Sequence, residues 1–184
     1  MTTSGPADLI VITHAHFDHL SPDDIERVRT PKTVVVAPRD VAQELSGEVI
    51  AVGPGEVLEA AGVHLETVPA YNVVEERLEA HPKANGWVGY LLTLGGHAYY
   101  HAGDTDHLPE LEQIRTEVAF LPIGGTYTMD AREAAGLARV ISPELAVPMH
   151  YGFVVGSGHD AEEFTRLAAP VEVRTLTPVH PFTQ

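Results

Sequence analysis

Ten residues, Thr13-His14-Ala15-His16-Phe17-Asp18-His19-Leu20-Ser21-Pro22, constrain this chain more than any other stretch. They follow a short apolar run, Asp8-Leu9-Ile10-Val11-Ile12, that reads as a buried strand. Residues two apart on an extended chain face the same way. His14 and His16 therefore converge on one point, and Asp18 follows if the chain stays extended. His19 shares that face only if the backbone turns. A turn is signalled by what comes next: Ser21 is a good N-cap, Pro22 suits the first helical position, and Asp23 and Asp24 favour the positive end of a helix. The strand delivers two ligands and the strand-to-helix turn two more in another direction, as two neighbouring metal ions require. One histidine on a strand is ordinarily a core or surface residue; three with an aspartate at this spacing are not.

Composition narrows the class. The 184 residues are 44% hydrophobic and 20% charged, an ordinary globular chain long enough for one sizeable core, and we expect a single domain over 1–184. No apolar run approaches the ~20 residues that span a membrane, and Met1 to Pro6 has neither the basic nor the apolar region of a secretory signal. The absence of cysteine excludes disulfides and thiolate ligands and fits a cytoplasmic protein. Eleven Lys and Arg face 26 acids, for a net charge of −15. With no clustered positive charge, nucleic-acid binding is disfavoured, and the expected partner is a small-molecule substrate.

Along the chain, Pro22 to Arg29 reads as a helix, Thr33 to Ala37 as a strand, Pro38 to Leu45 as a helix and Glu48 to Val52 as a strand. Val57 to Ala60 and Val63 to Val68 alternate as paired antiparallel strands, with His64 on a strand face. Residues 69–86 form a long irregular segment, the kind of loop that is functional or disordered. Val88 to Leu94 and His97 to His101 make a hairpin through Gly95-Gly96. Leu108 to Ile114 reads as helical and Val118 to Ile123 as a strand. Asp130 to Val140 is an Ala-rich helix with Asp130 as N-cap. Leu145 to Met149 is a strand, Ala161 to Ala169 a helix, and Val171 to Leu176 the last strand. The alternation argues for a layered α/β domain with every ligand candidate at a strand end.

The motif His14-x-His16-x-Asp18-His19 resembles the signature of the metallo-β-lactamase-fold hydrolases. Tyr100-His101-Ala102-Gly103-Asp104-Thr105, Leu121-Pro122-Ile123-Gly124-Gly125 and Pro148-Met149-His150-Tyr151-Gly152 resemble their lactonase-like, metal-dependent hydrolase branch (L-ascorbate-6-phosphate lactonase and UPF0173-like proteins). The resemblance implies an αββα sandwich and two divalent metal ions, Zn²⁺ foremost, with Mn²⁺ or Fe²⁺ as alternatives. It implies His14 and His16 at one metal, Asp18 and His19 at the other, Asp104 between them and His150 completing the second. Asp18 and Asp104 are then also the catalytic carboxylates, Asp18 orienting a metal-activated water for attack on a small ester, lactone or phosphodiester.

Two departures stand out. The family's third histidine of the first metal falls where this chain has Asn72, whose carbonyl oxygen is a weak candidate ligand; His81, nine residues on, is the other candidate, either as ligand or as substrate contact. His101 reads as a residue orienting Asp104 or a ligand, and Lys83 as a contact for an anionic substrate or a solvated lysine. The Gly124-Gly125-Thr126-Tyr127 turn would offer backbone N–H groups or a phenol to the substrate, or only pack beneath the site. His97, His107, His159 and His180 read as surface residues. The second departure is that only seven residues precede Asp8, so against the resemblance the family's N-terminal strands are missing; the alternatives are a natural or engineered truncation, or another chain, as in a homo-oligomer, covering the exposed sheet edge. The competing reading is a catalytically inactive metal-binding remnant or oligomeric scaffold.

Overall fold

The computed structural model describes residues 5–178, so His180 lies outside the described residues. The chain enters as β1 (Leu9–Val11), parallel to β2 (Val34–Pro38), which pairs in parallel with β3 (Ile50–Val52). The connections are α1 (Pro22–Val28) and α2 (Arg39–Glu44). α1 begins where its signals place it, with Ser21 as N-cap accepting from the Asp24 N–H at 3.3 Å and proline in the first turn. β2 shows why its β-branched run is apolar throughout. Val35 and Ala37 pack with Ile12, Leu20, Ile25 and Val41 on the helix side. Val36 packs on the other face with Val52, Leu65, Val88 and Tyr90.

That other face is a second, seven-stranded sheet. β4 (Val57–Ala60), β5 (Val63–Pro69), β6 (Val88–Leu94) and β7 (His97–His101) are antiparallel neighbours. β8 (Val118–Pro122), β9 (Leu145–Met149) and β10 (Glu172–Val173) continue in parallel from β7, in the order β10-β9-β8-β7-β6-β5-β4. Its outer face is covered by α3 (Ala131–Ile141) and α4 (Gly158–Ala168), with Tyr100, Ala119, Leu121 and Ala146 packed on Leu137, Ala138 and Phe164. Phe164 is fully buried, and its truncation to alanine would cost about 3–5 kcal/mol. The layers run helix, sheet, sheet, helix: the αββα sandwich.

Local chemistry explains three differences from the sequence reading. The 108–114 segment makes only a 3-10 turn, Pro109–Gln113, because Leu111 and Ile114 anchor it to the core one turn apart. α4 starts before Ala161 because Ser157 and Asp160 form a capping box. β10 is shorter than 171–176 because it pairs with β9 through Glu172 and Val173 alone. No helix among the described residues is long and apolar enough to cross a membrane. The outer edge of β1 carries no strand among the described residues.

The fold matters for function through one rim. The segments 12–21, 70–87, 102–108, 123–130 and 150–157 leave the C-terminal ends of β1, β5, β7, β8 and β9. Tyr90, buried between the sheets, donates from its hydroxyl to the Ile12 carbonyl at 2.8 Å, and the Val88 N–H donates to Thr13 at 3.2 Å. The second sheet thereby holds the end of β1 in place, just ahead of its histidines.

Candidate metal centre

His14 is 1% exposed. Its Nδ1 hydrogen-bonds the Thr13 hydroxyl at 2.9 Å, and its Nε2 has no hydrogen-bond partner. His16 stands edge-on to it, ring centroids 4.8 Å apart. The chain then turns: the His19 and Leu20 N–H groups both donate to the His16 carbonyl at 2.9 Å. That turn swings Asp18 and His19 to the other side, with His19 Nε2 3.5 Å from Asp18 Oδ2.

His81 joins the first pair. The Asn72 N–H donates to the His81 carbonyl at 2.8 Å, closing 72–81 into a loop whose two ends lie together. His81 Nδ1 is 3.1 Å from the Tyr127 carbonyl, so it carries the proton and leaves the buried Nε2 lone pair facing the cluster. Asn72 donates its amide to the Arg77 and Tyr127 carbonyls at 2.8 and 2.7 Å, and so braces the loop. His81, and not Asn72, stands among the cluster's imidazoles.

Asp104 is the centre. Gly103, at φ +65°, turns the chain out of β7 where a Cβ would lie 3.2 Å from Thr13, so Asp104 points inward at 3% exposure. Its carboxylate lies 3.3 Å from His81, 3.4 Å from His19, 3.0 Å from His150 and 3.7 Å from His14. His150 also reaches Asp18 at 3.5 Å. His150 adopts φ +57°, a left-handed backbone that costs a non-glycine residue roughly 1–3 kcal/mol. Gly124 lets its loop pass under that strained residue, because a Cβ there would meet the His150 carbonyl at 2.4 Å.

Two clusters result, His14, His16, His81 and Asp104, and beside them Asp18, His19 and His150; within each, the ligand atoms lie within 4.8 Å of one another. Burial, and then the charge of His19, lowers His14 to about 2. Burial also lowers His16 and His19. These imidazoles are neutral at physiological pH, the state a metal ligand needs. Burial would raise Asp104, but His150 and His81 outweigh it and hold the carboxyl far below its ordinary range. His150 is raised, because burial is outweighed by its contact with Asp104. Buried Nε2 atoms on His14 and His81 and Oδ1 on Asp104 lack hydrogen-bond partners. Unpaired donors and acceptors at that depth are costly unless a cation meets them. The residues present fit a divalent metal.

Other expected residues fall elsewhere. His101 hydrogen-bonds the Gly103 N–H at 3.2 Å and stacks on Phe120, so it shapes the turn before Asp104 instead of touching the carboxylate. Lys83 donates to the Tyr71 hydroxyl at 3.0 Å and lies 3.8 Å from Glu110. Tyr127 contributes its backbone carbonyl, while Thr126 is exposed. His64 pairs with Glu59 and Glu66, His97 with Glu117, His107 with Glu112 and His159 with Glu162.

Two contributors escaped the sequence reading. Trp87, the sole tryptophan, packs 5.1 Å from His14, 4.9 Å from His16 and 5.7 Å from His81. Its position just ahead of β6, at the end of the irregular loop, was the available signal. The second is a buried ionic knot in which Arg77 pairs with Asp106 and with both Glu133 oxygens at 2.7 and 2.8 Å. Asp106 Oδ2 accepts the Val73 and Val74 N–H groups. The knot ties the His81 loop to β7 and α3. No local pattern marks it, because its members are far apart in sequence.

Residues 2–150 match the family model described as the β-lactamase superfamily domain. The chain is 35% identical to a UPF0173 metal-dependent hydrolase of Methanopyrus kandleri, over 93% of this chain and 80% of that one. Its fold is similar to a candidate metal-dependent hydrolase from Parabacteroides distasonis: TM-score 0.84, 35% identity, 95% of this chain and 78% of that one. It is also similar to a metallo hydrolase from Ignicoccus hospitalis: TM-score 0.75, 28% identity, 93% of this chain and 76% of that one.

Proposed function

The chain belongs to the β-lactamase superfamily and is a metal-dependent hydrolase of that fold, and from this we propose that it holds two divalent ions, zinc foremost, and hydrolyses a small ester-type bond. His14, His16 and His81 would hold one ion, Asp18, His19 and His150 the other, with Asp104 shared. The observation that carries the reading is the Asp104 carboxylate, which belongs to the first cluster and lies 3.4 and 3.0 Å from His19 and His150 of the second, together with the unpartnered Nε2 atoms of His14 and His81. Imidazole and carboxylate donors without thiolate suit zinc, and also manganese or iron. When bound, such ions polarise a carbonyl or phosphoryl oxygen and bring the pKa of a water toward neutrality.

This chain's residues supply the rest. Asp104 stays ionised across the working range and anchors positive charge at the centre. Thr13 and the Tyr127 carbonyl hold the rings of His14 and His81 with Nε2 inward, so little reorganisation accompanies binding. The Asp18 side chain, about one-third exposed, is the carboxylate that incoming water reaches; it orients that water and takes up its proton. Trp87 closes the buried side against solvent.

The test is metal content by elemental analysis combined with turnover of an aryl ester, a lactone and an aryl phosphodiester. The expectation is about two ions per chain, turnover of at least one substrate, and loss of ~100-fold or more on chelation or in His16→Ala. Turnover that survives His16→Ala unchanged would defeat the assignment.

A further inference from the structure

Resting on that hydrolase reading, we propose that the cleft takes an uncharged carboxylic ester, open-chain or lactone, carrying an apolar or aromatic group, and that phosphorylated compounds are excluded. The first argument is charge. Of the eleven Lys and Arg, only Arg77 and Lys83 lie on the five segments of the rim. Arg77 is 8% exposed and bound to Asp106 and Glu133. Lys83 bonds the Tyr71 hydroxyl, lies 4.5 Å above that ring, and faces Glu110. Arg77 is thereby committed, and Lys83, with its side chain 70% exposed, is the one rim cation left and already faces a carboxylate, so the rim offers no cluster of cations for the charge-assisted pairs that phosphate recognition uses. Helix N-termini are the other common anion sites. Those of α3 and α4 are filled by their own capping boxes, Asp130 with Glu133 and Ser157 with Asp160, each including a carboxylate. The net charge of −15 further repels polyanions.

The second argument is apolar surface. Among the described residues, Phe17, Val73, Leu78, Tyr127, Phe153 and Val154 make six of the eleven exposed large apolar side chains. All six lie on the rim segments, which are under a third of the described residues. Phe17 is 79% exposed and stands between two cluster residues, His16 and Asp18. Tyr127 is on the loop that holds His81, and Phe153 and Val154 follow His150. Exposed aromatics concentrated around polar convergent groups are the make-up of a ligand cleft. In the reaction, the water oxygen bonds the acyl carbon and the C–O bond to the alcohol breaks. One water proton goes to the departing oxygen and the other leaves with ionisation of the new acid, giving carboxylate plus alcohol, or one hydroxy acid from a lactone.

The test uses the metal-loaded full chain with p-nitrophenyl acetate, butyrate and octanoate, bis-p-nitrophenyl phosphate and p-nitrophenyl phosphate. kcat/KM is expected to rise at least about tenfold from acetate to octanoate, with both phosphates lower than every ester. Phe17→Ser and Tyr127→Ser should flatten the chain-length dependence. Leu94→Ser, an exposed apolar change on the β6–β7 hairpin, should keep it. Binding is read separately by Trp87 fluorescence, with octanoate, acetate and inorganic phosphate as probes. Octanoate should bind tightest, and Phe17→Ser should weaken it to the level of acetate. A flat ester series, or phosphates turned over as well as esters, overturns the proposal, as does phosphate binding as tightly as octanoate. If no substrate turns over yet octanoate binds through Phe17, the hydrolase reading fails and the apolar cleft stands.

Discussion

The two halves of the candidate metal cluster both face Asp104 but are built to different standards of order. In the first half, His14 and His81 have side chains 2% and 1% exposed, each ring is held from behind by an oxygen, and Trp87 closes the back. In the second, Asp18, His19 and His150 are 33%, 17% and 12% exposed, come from a turn and a strained strand end, and contact one another more than any supporting group. The contrast separates two tasks. Groups that must bind a cation tightly benefit from being fixed in advance, whereas groups that meet water and substrate need an opening.

The largest expected effect comes from the group both halves share. Asp104→Ala should reduce metal content to near zero and activity by ~100-fold or more, read by elemental analysis and turnover. A variant that keeps both ions would dissolve the idea of a shared centre. Next, Arg77→Ala leaves Asp106 buried and unpaired and should cost about 3–5 kcal/mol in urea unfolding of the metal-free protein. The same change at the exposed Arg27 should cost ~1 kcal/mol or less. Removing one ligand from each half should then split them. His81→Ala and His19→Ala should each lose about one of two ions, but only the former should change Trp87 fluorescence on metal titration. Identical responses would mean that the halves are not distinct.

A smaller effect tests the burial of the first half. His14 is lowered from 6.5 to about 2, so between those values the unfolded chain binds a proton that the folded chain refuses. Stability of the metal-free protein therefore falls as pH drops below 6.5, by about 1 kcal/mol from pH 6.5 to 5.5 through His14 alone. His16, His19 and His101 are also lowered and add to the slope, while the raised His150 opposes it by losing stability above 6.5. Thermal unfolding in chelator should show the slope, and His14→Asn should reduce it while leaving the part contributed by His16, His19 and His101. The smallest change expected in metal binding is in Asn72→Ala, which removes hydrogen bonds to the buried Arg77 carbonyl and the part-buried Tyr127 carbonyl. It should lower the affinity of the first half for metal about tenfold, with a stability loss of about 1–3 kcal/mol.

What could be read in advance was local. His14, His16, Asp18 and His19 lie within six residues, and a strand followed by Ser21-Pro22 has few ways to present them. The hairpin at Gly95-Gly96 was equally legible, since both glycines adopt the positive φ that such a turn demands. The 69–86 loop was legible as a loop but not as a shape. Which of its polar residues would face the cluster depended on the bond from Asn72 N–H to His81, on Asp106 holding Val73 and Val74, and on Arg77 reaching α3. Those partners are separated by up to 56 positions in sequence, beyond any periodicity.

Sequence by itself determined the chemistry available: histidine and aspartate donors at strand ends, no thiolate, an acidic chain with few cations, and alternating apolar runs that close into layers. These follow from short-range geometry, because side-chain direction along a strand and the start of a helix are set within a few residues. Tertiary structure alone decided that His81 stands with His14 and His16, how near Asp104 comes to both clusters, and that one half is more deeply buried than the other. Those outcomes depend on the register between strands of different sheets and on where long loops are pinned. Both are set by packing and buried hydrogen bonds between residues that are neighbours only after folding.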